Sequence, residues 1–236
     1  MTNLGYSVHQ LSIQDIVMYI FVVVFSLFLI CINCGSDGTV KQNVTTRALG
    51  LAPVCPDKSV YCHFPEHDLK QKEKVHTIPT LGKVWRVELE FKPRQYTRGE
   101  EKASIIHMSQ AGPETRREVS GDRVLSIMTK PNCDLCFSMV MTNQDGVEEN
   151  WNSCYNGTKV GQWTGISVSQ QKQEDCTRYV TYVQKVAIDG ILQFETVNTA
   201  PKEFTSVEVF ASRPVWEAQP GTIRNFVIQD GNIGGN

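Results

Sequence analysis

"VWRVELEFK", residues 84 to 92, decides the fold class. Trp85, Val87, Leu89 and Phe91 fall on one side, and Arg86, Glu88, Glu90 and Lys92 on the other. Successive side chains of a strand point to opposite faces of a sheet, so strict alternation marks a strand with one buried and one wet face. A helix would scatter these four apolar residues around its circumference. Working outward, more short strand candidates follow: "ASIIHM" (103–108), "RVLSIM" (123–128), "DLCFSMVM" (134–141), "WTGISVSQ" (163–170) and "RYVTYVQKVAI" (178–188). Asp189-Gly190 then separates Ile188 from Ile191, and such a pair signals a tight hairpin because glycine takes positive φ readily. "ILQFETV", "TSVEVFA" and "TIRNFVIQ" complete the set. Many short strands with turns between them and no long helix predict an all-β, antiparallel sandwich.

Before residue 82 the text is different. Residues 36–81 carry prolines at 53, 56, 65 and 79 and a charged knot, "HDLKQKEKVH". No period long enough for a core element runs through it, so an irregular segment is expected, with a short helix around Asp68–Lys74. Further upstream, residues 16–34 read "IVMYIFVVVFSLFLICINC" without a charge. That length lies between a signal-peptide core and a membrane span. A start at Met18 would make it a compact signal peptide, and a retained stretch would make it a signal anchor. Both readings export the rest of the chain, and only the second attaches it to a membrane. The expected organisation is a leader (1–35), an irregular segment (36–81) and a sandwich (82–236).

Cysteine usage agrees with export. Cys31 and Cys34 lie in the leader, leaving Cys55, Cys62, Cys133, Cys136, Cys154 and Cys176. An even number in an exported chain reads as three disulfides. Cys55 and Cys62 suit a local loop. Cys133 and Cys136 are about 10 Å apart along a strand, too far for the roughly 5.5–6 Å between bridged Cα atoms. They are left to pair with Cys154 and Cys176, in either order. Asn43-Val-Thr45 and Asn156-Gly-Thr158 are N-glycosylation sequons and suit the same compartment. The net charge of −2 over 236 residues offers nothing that would attract nucleic acid.

The order of the pieces resembles a known family. A Trp-led first strand is followed by "GDR" (121–123), a W-x-x-I-x-V-S-Q strand from Trp163, a V-x-I-D-G hairpin (186–190) and the closing "FTSVEVFASRPVWEAQPGTIRNFVI". Together, over residues 82–231, they look like the concanavalin A-like jelly roll of laminin G-like and galectin-like extracellular domains. The resemblance implies that the first and last strands lie side by side, so that Val84–Phe91 pairs near Ile223–Ile228. It also implies binding of a glycan or an extracellular protein, often with calcium held by rim aspartates, for which Asp122, Asp134 and Asp145 are the candidates by position. Galectins read sugar with a His/Asn/Arg cluster and a Trp on one sheet. His107 and Arg123 fall on strands here, but the H-x-N-x-R run is missing.

Three catalytic motifs compete with that reading. "CHFPEH" (62–67) contains H-x-x-E-H, a zinc-peptidase pattern that needs His63 and His67 one helical turn apart. Pro65 between them opposes a helix. A retaining glucanase places carboxylates at i, i+2 and i+5 of a strand, about 5 Å between nucleophile and acid; Glu88 and Glu90 fit, but position 93 is proline. No G-x-S-x-G elbow occurs. The expectation is a secreted, non-enzymatic binding module for a glycan or protein, acting through rim loops 110–121, 142–160 and 211–221. Its alternative is a matrix protein that never sees sugar. Trp85 and Trp163 are expected in the core; Trp151 and Trp216, in loops, are expected to be exposed and to join His107 and Arg123 as ligand contacts.

Overall fold

The structure, a computed structural model, describes residues 54–95, 102–110, 122–131, 134–142, 148–174, 180–213 and 217–231. Among these residues there is no helix, and two antiparallel sheets form a sandwich. The first sheet contains β1 (Ser59–His63), β13 (Gly221–Asp230), β4 (Trp85–Pro93), β9 (Thr164–Glu174), β10 (Val180–Ile188) and β11 (Ile191–Asn198), in that order. The two-residue β2 (His67–Asp68) also pairs with β13. The second sheet runs β3 (Lys74–Leu81), β12 (Phe204–Phe210), β5 (Ala103–Ser109), β6 (Arg123–Thr129), β7 (Leu135–Thr142) and β8 (Glu148–Tyr155).

The alternation in "VWRVELEFK" is the alternation of burial in β4: Trp85, Val87, Leu89 and Phe91 are buried and the residues between them half-buried. These four meet Ile166 and Val168 of β9 and Ile223, Phe226 and Ile228 of β13 in one core with Ile106, Leu125, Ile127 and Phe137 of the second sheet. Strand β4 pairs with β13, Ile223 opposite Phe91 and Ile228 opposite Val87, so the first and last long strands are neighbours. The Asp189-Gly190 hairpin forms as read, with Ile188 opposite Ile191 and both turn residues at positive φ, 51° and 80°, the geometry of a type I′ turn.

Residues 59–81 differ from the expectation of an irregular segment. They supply β1, β2 and β3, and the expected helix near Asp68–Lys74 is a turn in which Glu73 N donates to Lys70 O (3.3 Å) and Lys72 has φ 63°. Strand β3 includes Pro79, which is tolerated because β3 is an edge with β12 on one side only. Strand β8 likewise occupies part of the stretch read as a rim loop.

Among the described residues two disulfides are present. Cys55–Cys62 holds the entry to β1, with Cα atoms 5.9 Å apart. Cys136–Cys154 joins directly opposed residues of β7 and β8, Cα atoms 4.0 Å apart, and so settles Cys154 as the partner of Cys136. Cys133 and Cys176 lie outside the described residues.

Candidate functional site

Strand pairing places a polar network on the outer face of the first sheet. Glu90 of β4 stands opposite Arg224 of β13, both pointing away from the core. Arg224 donates from Nε (2.8 Å) and Nη2 (2.5 Å) to Glu90 Oε2, and Asn225 Nδ2 donates to Oε1 (2.6 Å). Asn225 reaches Glu90 because β13 bulges here: the register shifts between Arg224 and Val227, and Asn225 sits at φ 51°. Asparagine tolerates that left-handed conformation better than most residues, and bulges of this kind re-aim side chains at sheet faces. The bulge coincides with the break between β1 and β2, where Asn225 N donates to Phe64 O (3.1 Å).

Trp163, immediately before β9, completes the network. Its ring carries the Arg224 guanidinium at 4.0 Å and the Lys92 ammonium at 4.5 Å from the centroid, a cation–π arrangement. Glu66 lies 4.0 Å from Lys92 and 3.9 Å from Arg224 and is 55% exposed. On the other side of Glu90 the facing residue of β9 is Gly165. Gly165 has no side chain of its own, and its N–H donates to the Asp189 carboxylate (2.7 Å), which packs over it. Farther along the same face Arg86 pairs with Glu88 (3.2 Å) and donates to Ser167 Oγ (3.3 Å). At the opposite margin Arg94 pairs with Asp68; its hydrogen bond, the leading cause, holds the Asp68 carboxyl below the ordinary range. Each of these cations is matched by a carboxylate, so the face is densely polar without a strong net field.

The residues expected from sequence are distributed differently. His107 and Arg123 do share a face, the outer one of the second sheet. His107 Nδ1 meets Ser126 Oγ at 3.0 Å, and Arg123 Nη1 donates to Ser138 Oγ at 2.7 Å. His107 is 4% exposed and Ser126 and Ser138 are fully buried, so the row is an internal polar ladder, not an open surface. Trp151 does not join it. It lies on β8, half-buried, and points inward to meet Phe194 edge-on at 6.1 Å, because its strand partner is the core residue Met139. Trp163, expected in the core, is on the outer face instead. The parity of its own strand carried that signal: with Thr164, Ile166 and Val168 buried, Trp163 shares a side with Gly165 and Ser167.

Asp122 and Asp134 stand at opposite ends of one strand. Asp122 precedes β6, while Asp134 precedes β7, whose Leu135 pairs with Thr129 at the far end of β6. Seven residues of strand put about 20 Å between them. Their backbone carbonyls accept from Gln110 N and Lys130 N, both at 3.0 Å. Among the described residues no group of three metal-ligating side chains occurs. His63 and His67 of "CHFPEH" sit on separate short strands with ring centroids 5.8 Å apart, and His67 Nε2 meets Glu73 Oε2 at 3.1 Å. Asn156 is exposed in the loop after β8. Asp145, Trp216 and Asn43 lie outside the described residues.

No protein-family model matches the chain, and no curated protein matches it. Similar solved structures include an endo-β-1,4-glucuronan lyase from the fungus Trichoderma reesei (11% identity, TM-score 0.46, covering 72% of this chain and 76% of that one). Others are the receptor-binding domain of botulinum neurotoxin type G (11%, 0.45, 75% and 42%) and an alginate lyase from a Chlorella virus (9%, 0.42, 70% and 84%). The expectation that this chain is not an enzyme does not stand against that set, because polysaccharide lyases are prominent in it. At these identities and TM-scores the likenesses transfer no reaction or substrate to this chain.

Proposed function

We propose that this chain is an exported β-sandwich of concanavalin A-like jelly-roll type that binds a glycan on the outer face of its first sheet. The observation that carries the reading is the Glu90–Arg224–Asn225 network beside Trp163, built at a bulge in β13. Sugar recognition needs planar polar groups that give and take hydrogen bonds with hydroxyls, next to an aromatic surface for the C–H face. A carboxylate, a guanidinium and an amide held by one another are already oriented, so little ordering is left to the binding step. Arg224 is fixed by Glu90, whereas Lys92 sits on a flexible stem and can yield the indole ring to a sugar. The internal pairing of charges favours a hydroxyl-rich ligand over a polyanion. The adjacency of β4 and β13 supports the jelly-roll assignment; the two disulfides and the exposed sequon at Asn156 support export.

A glycan array probed with the chain from a secretory host, in calcium and again in EDTA, tests the proposal. Specific binding in both buffers is expected, since the network needs no metal. A blank array from folded protein would overturn it in favour of a matrix role. Bound glycans should also be recovered and sized, which reads out cleavage directly.

A further inference from the structure

Trp85, Gln170 and Gln184 stand side by side on β4, β9 and β10, Trp85 opposite Gln170 and Gln170 opposite Gln184. All three are at least 98% buried. Gln184 Nε2 donates across to Val140 O of the second sheet (2.6 Å) and to Gln170 Oε1 (3.0 Å). Gln170 Oε1 also accepts from Asn198 Nδ2 (2.8 Å), and its Nε2 donates to Lys83 O (2.7 Å). Both hydrogens of the Gln184 amide are therefore committed, which fixes Oε1 as the atom turned the other way.

Two atoms of this group find no protein partner: Trp85 Nε1, a donor, and Gln184 Oε1, an acceptor. Both residues line one small cavity, shared with Val140 and Phe204 and bordered toward the surface by Ala200 and Lys202, whose free space admits a group the size of one water. Leaving a buried donor and acceptor unmatched is costly. The partner they call for must accept one hydrogen bond and donate another. An ammonium cannot accept and a carboxylate cannot donate, while a neutral hydroxyl does both.

We propose that this cavity is a binding site for one neutral hydroxyl group, which accepts from Trp85 Nε1–H and donates to Gln184 Oε1. Its occupant ties β4 and β10 together beneath the contact of Gln184 with the second sheet. The site lies inside the sandwich and is independent of the glycan face. Water and the hydroxyl of a small polyol are the two sources with this chemistry.

Indole N–H resonances of the full secreted chain, labelled at its four tryptophans, provide the test. Trp85→Phe assigns the Trp85 signal; should that variant not fold, assignment proceeds by elimination with Trp163→Phe, Trp151→Phe and Trp216→Phe. The expected result is cross-relaxation from the Trp85 indole proton to a long-lived water in the protein alone. A saturable shift of that signal on titrating glycerol would also support the site and identify a polyol hydroxyl as the occupant. Neither cross-relaxation nor shift, in folded wild-type protein, would overturn the proposal.

Discussion

Glu90 is the residue on which the outer-face network turns, because both of its oxygens are used and each bond holds a different neighbour. Glu90→Gln keeps the shape but removes the charge that fixes Arg224. Charge-assisted hydrogen bonds contribute about 1.5–3 kcal/mol, so glycan affinity should fall about tenfold or more by calorimetric titration, with the far-ultraviolet spectrum unchanged. Asp68 gives a second, independent check. With Arg94 beside it, its carboxyl should titrate below the ordinary Asp value by NMR, and Arg94→Ala should bring it back up. The sign follows from the lowered midpoint: the pairing is intact at neutral pH, persists as pH falls past the unfolded-state value, and is lost through the lower folded-state one. Of these residues, the outward position of Glu90 and Lys92 was legible in the alternation of β4. That Glu90 would meet Arg224, 134 positions later, was not, because register between distant strands is set by the packed core and not by local pattern. Trp163 was misread through its size: a large apolar residue suggests the core, whereas the parity of its strand pointed outward.

At the scale of the element, the bulge in β13 separates backbone from side chain. Asn225→Ala should destabilise by about 1 kcal/mol, since a left-handed φ strains alanine, and should weaken glycan binding. Asn225→Gly relieves the strain, so it should recover the stability in a urea melt and not the binding. Gly221, at the start of the same strand, has no room at all: a Cβ would come within 2.8 Å of the Phe91 ring and 2.9 Å of Lys92 O. Gly221→Ala should therefore cost about 1–3 kcal/mol, read in the same melt. Strands that sequence concealed share a position: β1, β2, β3 and β8 all lie at sheet edges. Edge strands are half-exposed on several sides, as the even burial along β1 shows, so their period blurs. Pro79 in β3 and asparagines in β8 removed the remaining propensity signal. Central strands such as β4 and β9 are covered by neighbours and must alternate, which is why they could be read.

For the whole molecule, the two sheets treat their outward polar rows differently. The second sheet buries its polar row of His107, Ser126 and Ser138 and carries the Cys136–Cys154 bridge; the first sheet keeps its polar row half open. Replacing Cys136 and Cys154 together by serine should cost about 3 kcal/mol, the value for a loop of this length, measured by thermal unfolding, and should leave glycan affinity within about twofold. Trp163→Ala and His107→Ala, compared on the glycan array beside the wild type, discriminate between the two sheets. The outer face of the first sheet predicts that Trp163→Ala abolishes binding while His107→Ala, if folded, retains it. Binding that survives Trp163→Ala and vanishes with His107→Ala, from protein of native fold, would contradict that account and move recognition to the second sheet.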